Sequence, residues 1–173
     1  IRQNIFLPLG MEHSAIYRKD SLIFERAYGY HKENSQWKFA DQSVTSATMG
    51  DGSVYTSLNE YRKWIQHLWE QSFPDSNSNP LLPHASIKKG LDYGYGWFIA
   101  RNDDGNTVYF HSGESTGFHN IVYHDPKRKL MIVLFSNSDD DRVSKTFGQI
   151  MFLLNVKLKD VPEKESLFDF LSK

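Results

Sequence analysis

The residues with the most promising chemistry are the tripeptide His111-Ser112-Gly113, which follows the apolar run Val108-Tyr109-Phe110 and precedes a second extended stretch. This tripeptide looks like one half of an active site. The other half would be a nucleophilic serine with a lysine one helical turn later, because a desolvated lysine can take the serine's proton.

Two Ser-x-x-Lys tetrads occur, but neither has the surroundings that this chemistry needs. The serine should lie at the buried start of a long core helix. Ser35-Gln36-Trp37-Lys38 lies in a polar turn beside Asn34, and Ser86-Ile87-Lys88-Lys89 is followed by Gly90 without a continuing apolar face. We therefore expect no nucleophile in this chain, which would then carry binding chemistry without catalysis.

A further serine lies in Gly113-Glu114-Ser115-Thr116-Gly117, which satisfies the G-x-S-x-G pattern of a nucleophile elbow. This pattern would make the protein an α/β-hydrolase that uses Ser115. An elbow needs a helix after the serine, whereas residues 118–124 have the pattern of a strand, and no acid lies between Ser115 and the histidines that follow. The α/β-hydrolase remains an alternative, and glycines of a tight turn between strands are the simpler interpretation.

Metal, nucleic-acid and membrane functions receive little support. His111, His119 and His124 could approach one another across strands, but there is no His-Glu-x-x-His pattern, so we predict no metal site and no cofactor. The net charge is -1, from 20 basic and 21 acidic residues, without a basic block that could follow a phosphate backbone. No apolar stretch reaches about eighteen residues, which argues against membrane insertion.

The elements that would position the tripeptide are helices and strands with clear patterns. A capping box, Ser57-Leu58-Asn59-Glu60, precedes apolar residues at helical spacing, which predicts a helix over 57–71 that Phe73-Pro74 stops. A second helix should open at Ser138 to Asp141, whose acids cap it. Four extended runs predict antiparallel hairpins: about 93–101, 106–111, 118–124 and 129–136.

These elements together predict an α+β fold, an antiparallel sheet with flanking helices. Leu130 to Phe135 is apolar without alternation, which predicts a central strand with both faces covered. The second helix should bury one apolar face, formed by Val143, Phe147, Ile150, Met151 and Leu154.

Taken in order, several motifs resemble those of the serine β-lactamase-like family, which includes class C β-lactamases, D-alanyl-D-alanine carboxypeptidases and related esterases. The resemblance covers about residues 1–155. It rests on the shared order and spacing of Ile5 to Met11, Ala27 to Tyr30, Gly50 to Ser57, Tyr95-Gly96-Trp97, His111-Ser112-Gly113, Gly117-Phe118, Pro126 and Leu134 to Asn137.

The resemblance implies roles for the tripeptide. The family usually has Lys-Thr-Gly or Lys-Ser-Gly there, so His111 would replace the lysine. His111 and Ser112 would contact the polar or carboxylate end of a substrate, Gly113 would let the backbone approach closely, and the Glu114 N–H would complete an oxyanion hole. A neutral histidine holds less charge than lysine, which favours an esterase or peptidase over hydrolysis of β-lactams.

The resemblance also implies that this chain is a C-terminal segment. In that family the Ser-x-x-Lys motif and the second motif, Tyr-x-Asn or Ser-x-Asn, lie upstream of the segment that Ile5 to Met11 resembles. Residues 1–155 would then be the C-terminal portion of a β-lactamase-like domain, and 156–173 a tail with a short helix. We expect a small ester, peptide or β-lactam substrate, a periplasmic or extracellular location and self-association through an exposed face. Candidate cleft aromatics are Tyr95, Trp97 and Phe118.

Overall fold

The computed structural model describes residues 1–18, 22–41, 52–70 and 79–159. The chain forms two compact units, each built from more than one stretch of sequence. The first contains Ile1–Ser72, Ser115–Phe118 and Asn137–Asp139, and the second contains Phe73–Glu114, His119–Ser136 and Asp140–Lys173.

The first unit combines short strands with one helix. After a π-helical turn at Arg2–Phe6, the elements are β1 (Ala15–Ile16), β2 (Tyr30–Glu33), β3 (Gln36–Phe39), β4 (Val54–Tyr55) and α1 (Leu58–Glu70). Strand β1 pairs with β4 and β2 pairs with β3, both in antiparallel register.

Helix α1 forms where the sequence predicts it, but only half of the expected capping box forms. Ser57 Oγ accepts the backbone N–H of Glu60 at 3.3 Å and caps the helix N-terminus. The Glu60 carboxylate turns elsewhere and accepts from the backbone N–H of His13 at 3.0 Å and from Ser14 Oγ at 2.5 Å. The predicted stop at Phe73-Pro74 lies outside the described residues.

The second unit contains a six-stranded sheet in the order β10-β9-β8-β7-β6-β5. Its strands are β5 (Ala85–Lys88), β6 (Leu91–Tyr93), β7 (Phe98–Arg101), β8 (Thr107–Ser115), β9 (Phe118–Asp125) and β10 (Leu130–Ser136). The predicted hairpins are confirmed, with one correction. The run over 93–101 is broken by a turn in which the Gly94 N–H donates to the Trp97 carbonyl at 2.8 Å. A side chain at Gly94 would lie 2.4 Å from the Pro80 carbonyl oxygen, so only glycine fits.

Strand β10 does not occupy the central position that its apolar sequence predicts. Within the described residues it is the edge strand of the six-stranded sheet, paired with β9 alone. Met131 and Phe135 are 37% and 40% exposed. A run without alternation reports that both faces of a strand are apolar, and it carries no information about whether both edges are paired.

The core of the second unit lies between the sheet and α2 (Arg142–Leu153). Val143 and Phe147 are buried and Ile150 and Met151 pack against the same cluster, as predicted, while Leu154 lies just past the helix end and is 39% exposed. The strand residues of this core are Leu91, Ala100, Val108, Phe110, Ile121, Tyr123 and Ile132. Among the described residues, neither helix is long and apolar enough to cross a membrane.

The acids before α2 have separate roles. Asp140 accepts the backbone N–H of Arg142 at 3.3 Å and so caps the helix start, whereas Asp141, the N-cap residue, makes no side-chain cap bond. Asp139 binds the backbone of Gly117 instead. After α2, Val156 and Leu158 join the core, and the rest of the predicted tail helix, 160–173, lies outside the described residues.

Candidate functional site

Strand β8 carries the tripeptide in its C-terminal half. Val108 and Phe110 are completely buried and alternate with the half-buried Tyr109 and His111, as the period of a strand requires. The strand continues to Ser115, four residues beyond the predicted end of the extended run. The core therefore fixes the first half of β8, and the half that bears the polar residues is more accessible.

The turn after β8 excludes the nucleophile elbow. Ser115 is the last residue of β8, and β9 begins three residues later, at Phe118. An elbow serine lies between a strand and a helix, and no helix follows here. The alternative of an α/β-hydrolase with Ser115 as its nucleophile is therefore wrong.

Gly117 holds this turn in place. Its φ of +73° favours glycine, and a side chain there would lie 1.9 Å from the Ala40 carbonyl oxygen. Its N–H donates to Asp139 Oδ2 at 3.1 Å, and its carbonyl accepts from the N–H of Tyr30 at 3.3 Å. The turn is consequently fixed by contacts within the first unit.

His111 packs against the aromatic rings of two neighbouring strands. Its Nε2 is 3.2 Å from the Tyr93 hydroxyl, and its ring stacks on Phe98 with centroids 5.4 Å apart and planes at 26°. Burial lowers the pKa of His111, and a hydrogen bond to the backbone of Ser112 opposes that shift only in part. Because the net shift is downward, the imidazole is neutral at pH 7 and can form hydrogen bonds without carrying a charge.

The two residues after Ser112 contact strand β9. A side chain at Gly113 would lie 3.0 Å from the Asn120 amide nitrogen. Glycine at this position therefore leaves room for the Asn120 amide. The Glu114 carboxylate is 66% exposed and lies 3.5 Å from His119 Nδ1. Asn120 and Glu114 are both exposed.

The three candidate cleft aromatics have different surroundings. Tyr95 is 60% exposed and stacks on His84 with centroids 4.2 Å apart. Trp97 is 6% exposed and packs edge-on against His124 at 5.3 Å, so its ring is surrounded by protein. Phe118 is half-buried and packs edge-on against Tyr55 at 5.9 Å in the first unit.

The histidines do not form a metal centre. His111, His119 and His124 have different neighbours, namely Tyr93, Glu114 and Trp97. Within residues 1–18, 22–41, 52–70 and 79–159, no three His, Asp or Glu side chains are grouped closely enough to hold a metal ion.

The sequence reasoning missed Tyr93 and Asn120. Tyr93 lies 18 positions before His111, and only the pairing of β6, β7 and β8 brings the two together. Asn120 is placed beside Gly113 by the tight β8–β9 turn, and the two-residue turn Thr116-Gly117 was the available signal, because it sets which residues face each other.

Comparisons with known proteins identify the family of this chain. A family model described as Beta-lactamase matches residues 1–150. Penicillin-binding protein 4* of Bacillus subtilis (strain 168) is 23% identical over 186 residues, which cover 95% of this chain and 40% of that protein. Putative penicillin-binding protein PbpX of the same strain is 25% identical over 158 residues, with coverages of 90% and 38%. The chain thus spans about 40% of the length of these curated relatives.

Solved structures share the fold. The octameric penicillin-binding protein homologue from Pyrococcus abyssi superimposes with a TM-score of 0.69 at 20% identity, covering 99% of this chain and 40% of that one. A penicillin-binding protein from Bacillus halodurans gives 0.71 at 23% identity, with coverages of 88% and 48%. The predicted α+β fold is confirmed. Because the family model matches residues 1–150 of the 173 residues, this chain belongs to the beta-lactamase family.

Proposed function

We propose that this chain supplies the substrate-facing strand of a serine hydrolase that cleaves an ester, amide or β-lactam through an acyl-serine intermediate. The observation that carries the proposal is the position of His111-Ser112-Gly113 on the accessible half of β8, in a chain of the beta-lactamase family. His111 and Ser112 bind the polar end of the substrate. The backbone N–H of Glu114 stabilises the oxyanion, since a fixed donor near developing charge lowers the barrier.

The attacking serine comes from residues outside this chain, so the chain alone is inactive. Ser35 lies in the turn between the exposed strands β2 and β3, where Lys38 is paired with Glu33. Ser86 lies on the exposed strand β5. Neither tetrad lies on a helix, so neither lysine is placed one helical turn from its serine.

The preferred substrate is an uncharged ester or amide. A lysine at position 111 would attract a carboxylate through its charge, whereas the neutral imidazole of His111 offers only hydrogen bonds. The proposal therefore ranks esterase or peptidase activity above the hydrolysis of β-lactams.

The test uses the full-length protein that contains this chain, assayed with a chromogenic ester and a labelled penicillin. We expect ester turnover, and we expect His111→Ala to lower kcat/KM by about tenfold, since His111 hydrogen-bonds the substrate and one hydrogen bond contributes about 1 kcal/mol. The matched control is His31→Ala on β2, which should leave kcat/KM unchanged. Urea unfolding of each variant checks that the fold is retained.

Three outcomes would contradict parts of the proposal. Wild-type kinetics for His111→Ala would overturn the site assignment. Covalent labelling of the isolated chain would show that it contains its own nucleophile. Neither turnover nor labelling in the full-length protein would favour a non-catalytic ligand-binding or sensor module of the same fold, for which the replacement of lysine by His111 is the supporting observation.

A further inference from the structure

The turn between β8 and β9 is bound to two other segments of the first unit. Asp139 Oδ2 accepts the backbone N–H of Gly117 at 3.1 Å. Tyr30 donates its N–H to the Gly117 carbonyl at 3.3 Å, and its own carbonyl accepts the N–H of Asp139 at 3.3 Å. Three residues from distant parts of the sequence therefore form a closed ring of hydrogen bonds at this turn.

The Asp139 carboxylate is the side-chain member of this ring, and its segment is itself fixed. The neighbouring Ser138 is 5% exposed and forms a parallel β-bridge with Tyr30. The carbonyl of Asn137 accepts the Tyr30 N–H at 3.0 Å. A carboxylate on such a segment is a preorganised acceptor, and its hydrogen bond contributes more than one to a neutral acceptor.

The end of β8 that leads into this turn is supported mainly from one side. In the part of the chain that the structure describes, strand β7 pairs with Thr107 to Phe110 of β8 and with none of its later residues. From residue 111 onward, the neighbouring strand is β9. A strand segment paired along one edge opens more readily than one paired along both. The position of these last residues of β8 therefore depends on how firmly the turn after them is held.

Glu114 lies in this segment, one residue before β8 ends. A two-residue turn is closed by a hydrogen-bonded pair, here Ser115 and Phe118. Hydrogen-bonded and non-hydrogen-bonded pairs alternate along an antiparallel ladder, and Glu114 lies beside His119, the next pair along. The N–H of Glu114 is therefore directed away from β9, toward the open edge of β8.

We propose that Asp139 is a positioning residue: by accepting the Gly117 N–H it fixes the turn and, through the chain, the N–H of Glu114. The inference rests on the proposed function, which gives that N–H its role at the oxyanion. A donor aimed at developing charge loses its effect when it is displaced, because the stabilisation depends on preorganised geometry. Loss of the Asp139 carboxylate should slow the chemical step and leave substrate binding nearly unchanged.

The test compares Asp139→Ala with Asp139→Asn in the full-length protein, assayed with a neutral chromogenic ester. We expect Asp139→Ala to lower kcat by about tenfold and to change KM by less than about twofold, since the oxyanion contact forms only in the transition state. Asp139→Asn keeps an acceptor oxygen and should retain kcat within about threefold of the wild type. A loss confined to kcat and restored by asparagine is not expected of a residue that only stabilises the fold.

A second measurement follows the turn itself. Amide hydrogen exchange at Gly117, read by mass spectrometry of overlapping peptides, should be about tenfold faster in Asp139→Ala, because a hydrogen bond to a carboxylate is lost. The matched control is Asp140→Ala, which removes the adjacent carboxylate that caps α2 at the N–H of Arg142. It should leave kcat and exchange at Gly117 unchanged. Urea unfolding checks that each variant retains the fold.

The outcomes separate this inference from the proposed function. A wild-type kcat in Asp139→Ala would overturn the inference, and so would equal losses of kcat in Asp139→Ala and Asp140→Ala. A loss in Asp139→Asn as large as that in Asp139→Ala would overturn the role of the hydrogen bond. If His111→Ala lowers kcat/KM while Asp139→Ala keeps the wild-type kcat, only this inference fails. If the wild-type protein turns over no substrate, the proposed function fails and this inference fails with it.

Discussion

Glu60 in the first unit and His111 in the second both have lowered pKa values, but for opposite reasons. Burial alone would raise the pKa of Glu60, and hydrogen bonds from Ser14 and His13 outweigh it, so the carboxylate stays charged. Burial lowers the pKa of His111, so the imidazole stays neutral. The same direction of shift therefore preserves a charge in one region and removes one in the other.

The difference separates a structural cluster from the proposed recognition site. Glu60 is 5% exposed and joins helix α1 to a segment 46 and 47 residues earlier, and Ser14 also contacts Thr56 at 2.7 Å. Its partners lie within the protein, so the cluster contributes to stability. His111 is half-buried on a strand whose next residues are accessible, so its polar groups can act on a ligand.

Removing the carboxylate of Glu60 should have the largest effect on stability. We expect Glu60→Ala to lower the free energy of unfolding by about 4 kcal/mol, because the hydrogen bonds of a buried charge with Ser14 and with the backbone and ring of His13 are lost and a cavity remains. Urea unfolding measures the change. The control is Glu70→Ala on the same helix, whose exposed carboxylate accepts from Gln66, and it should cost less than about 0.5 kcal/mol. Equal losses for the two variants would contradict the structural role of Glu60.

Acidification should destabilise the second unit before it affects Glu60. Burial lowers the pKa of His124, which is 2% exposed, to about 4. Between pH 6.5 and about 4, His124 is protonated in the unfolded chain but neutral in the folded protein. The stability that depends on a neutral His124 is therefore fully present above pH 6.5 and falls as the pH falls toward 4. The loss is on the order of 3 kcal/mol. The stability that Glu60 provides is fully present above its ordinary pKa of 4.5 and is lost only as the pH falls below that value, because its folded pKa is lower still.

The urea midpoint, measured from pH 8 to pH 4, checks this order. His124→Gln removes the titrating group and should flatten most of the slope in this range, leaving the smaller contribution of His111. An unchanged slope in His124→Gln would show that the pKa of this histidine is not lowered in the folded protein.

The turn that follows the candidate site should be sensitive to one methyl group. We expect Gly117→Ala to cost about 2 kcal/mol, since it combines a left-handed backbone with a clash against Ala40. Gly105→Ala has a φ of +79° and nothing within 4 Å, so it isolates the backbone contribution at about 1 kcal/mol. A side chain at Gly148 on helix α2 would meet no atom within 4 Å, so Gly148→Ala should raise the free energy of unfolding by about 0.5 kcal/mol through the higher helix propensity of alanine. A cost at Gly117 no larger than that at Gly105 would argue against the close contact.

The elements with strong local patterns were predictable, and the chemistry between elements was less so. Ser57 and the helical spacing after it predicted α1, because capping and periodicity act within a few residues. The capping box predicted that the Glu60 carboxylate would bind the N-terminus of its own helix. It binds Ser14 and His13 instead, which lie 46 and 47 residues earlier in the chain. The apolar run of β10 predicted a strand but not its place at the sheet edge.

By itself the sequence determined the tripeptide, its strand and the family, because ordered motifs and alternating apolar residues are local properties of the chain. Only the tertiary structure decided that Tyr93 and Phe98 surround His111, that Asn120 covers Gly113, and that Ser115 ends a strand without a helix after it. The physical reason is that strand pairing sets which distant side chains meet. Burial, which sets the charge of His111, exists only after those strands have assembled.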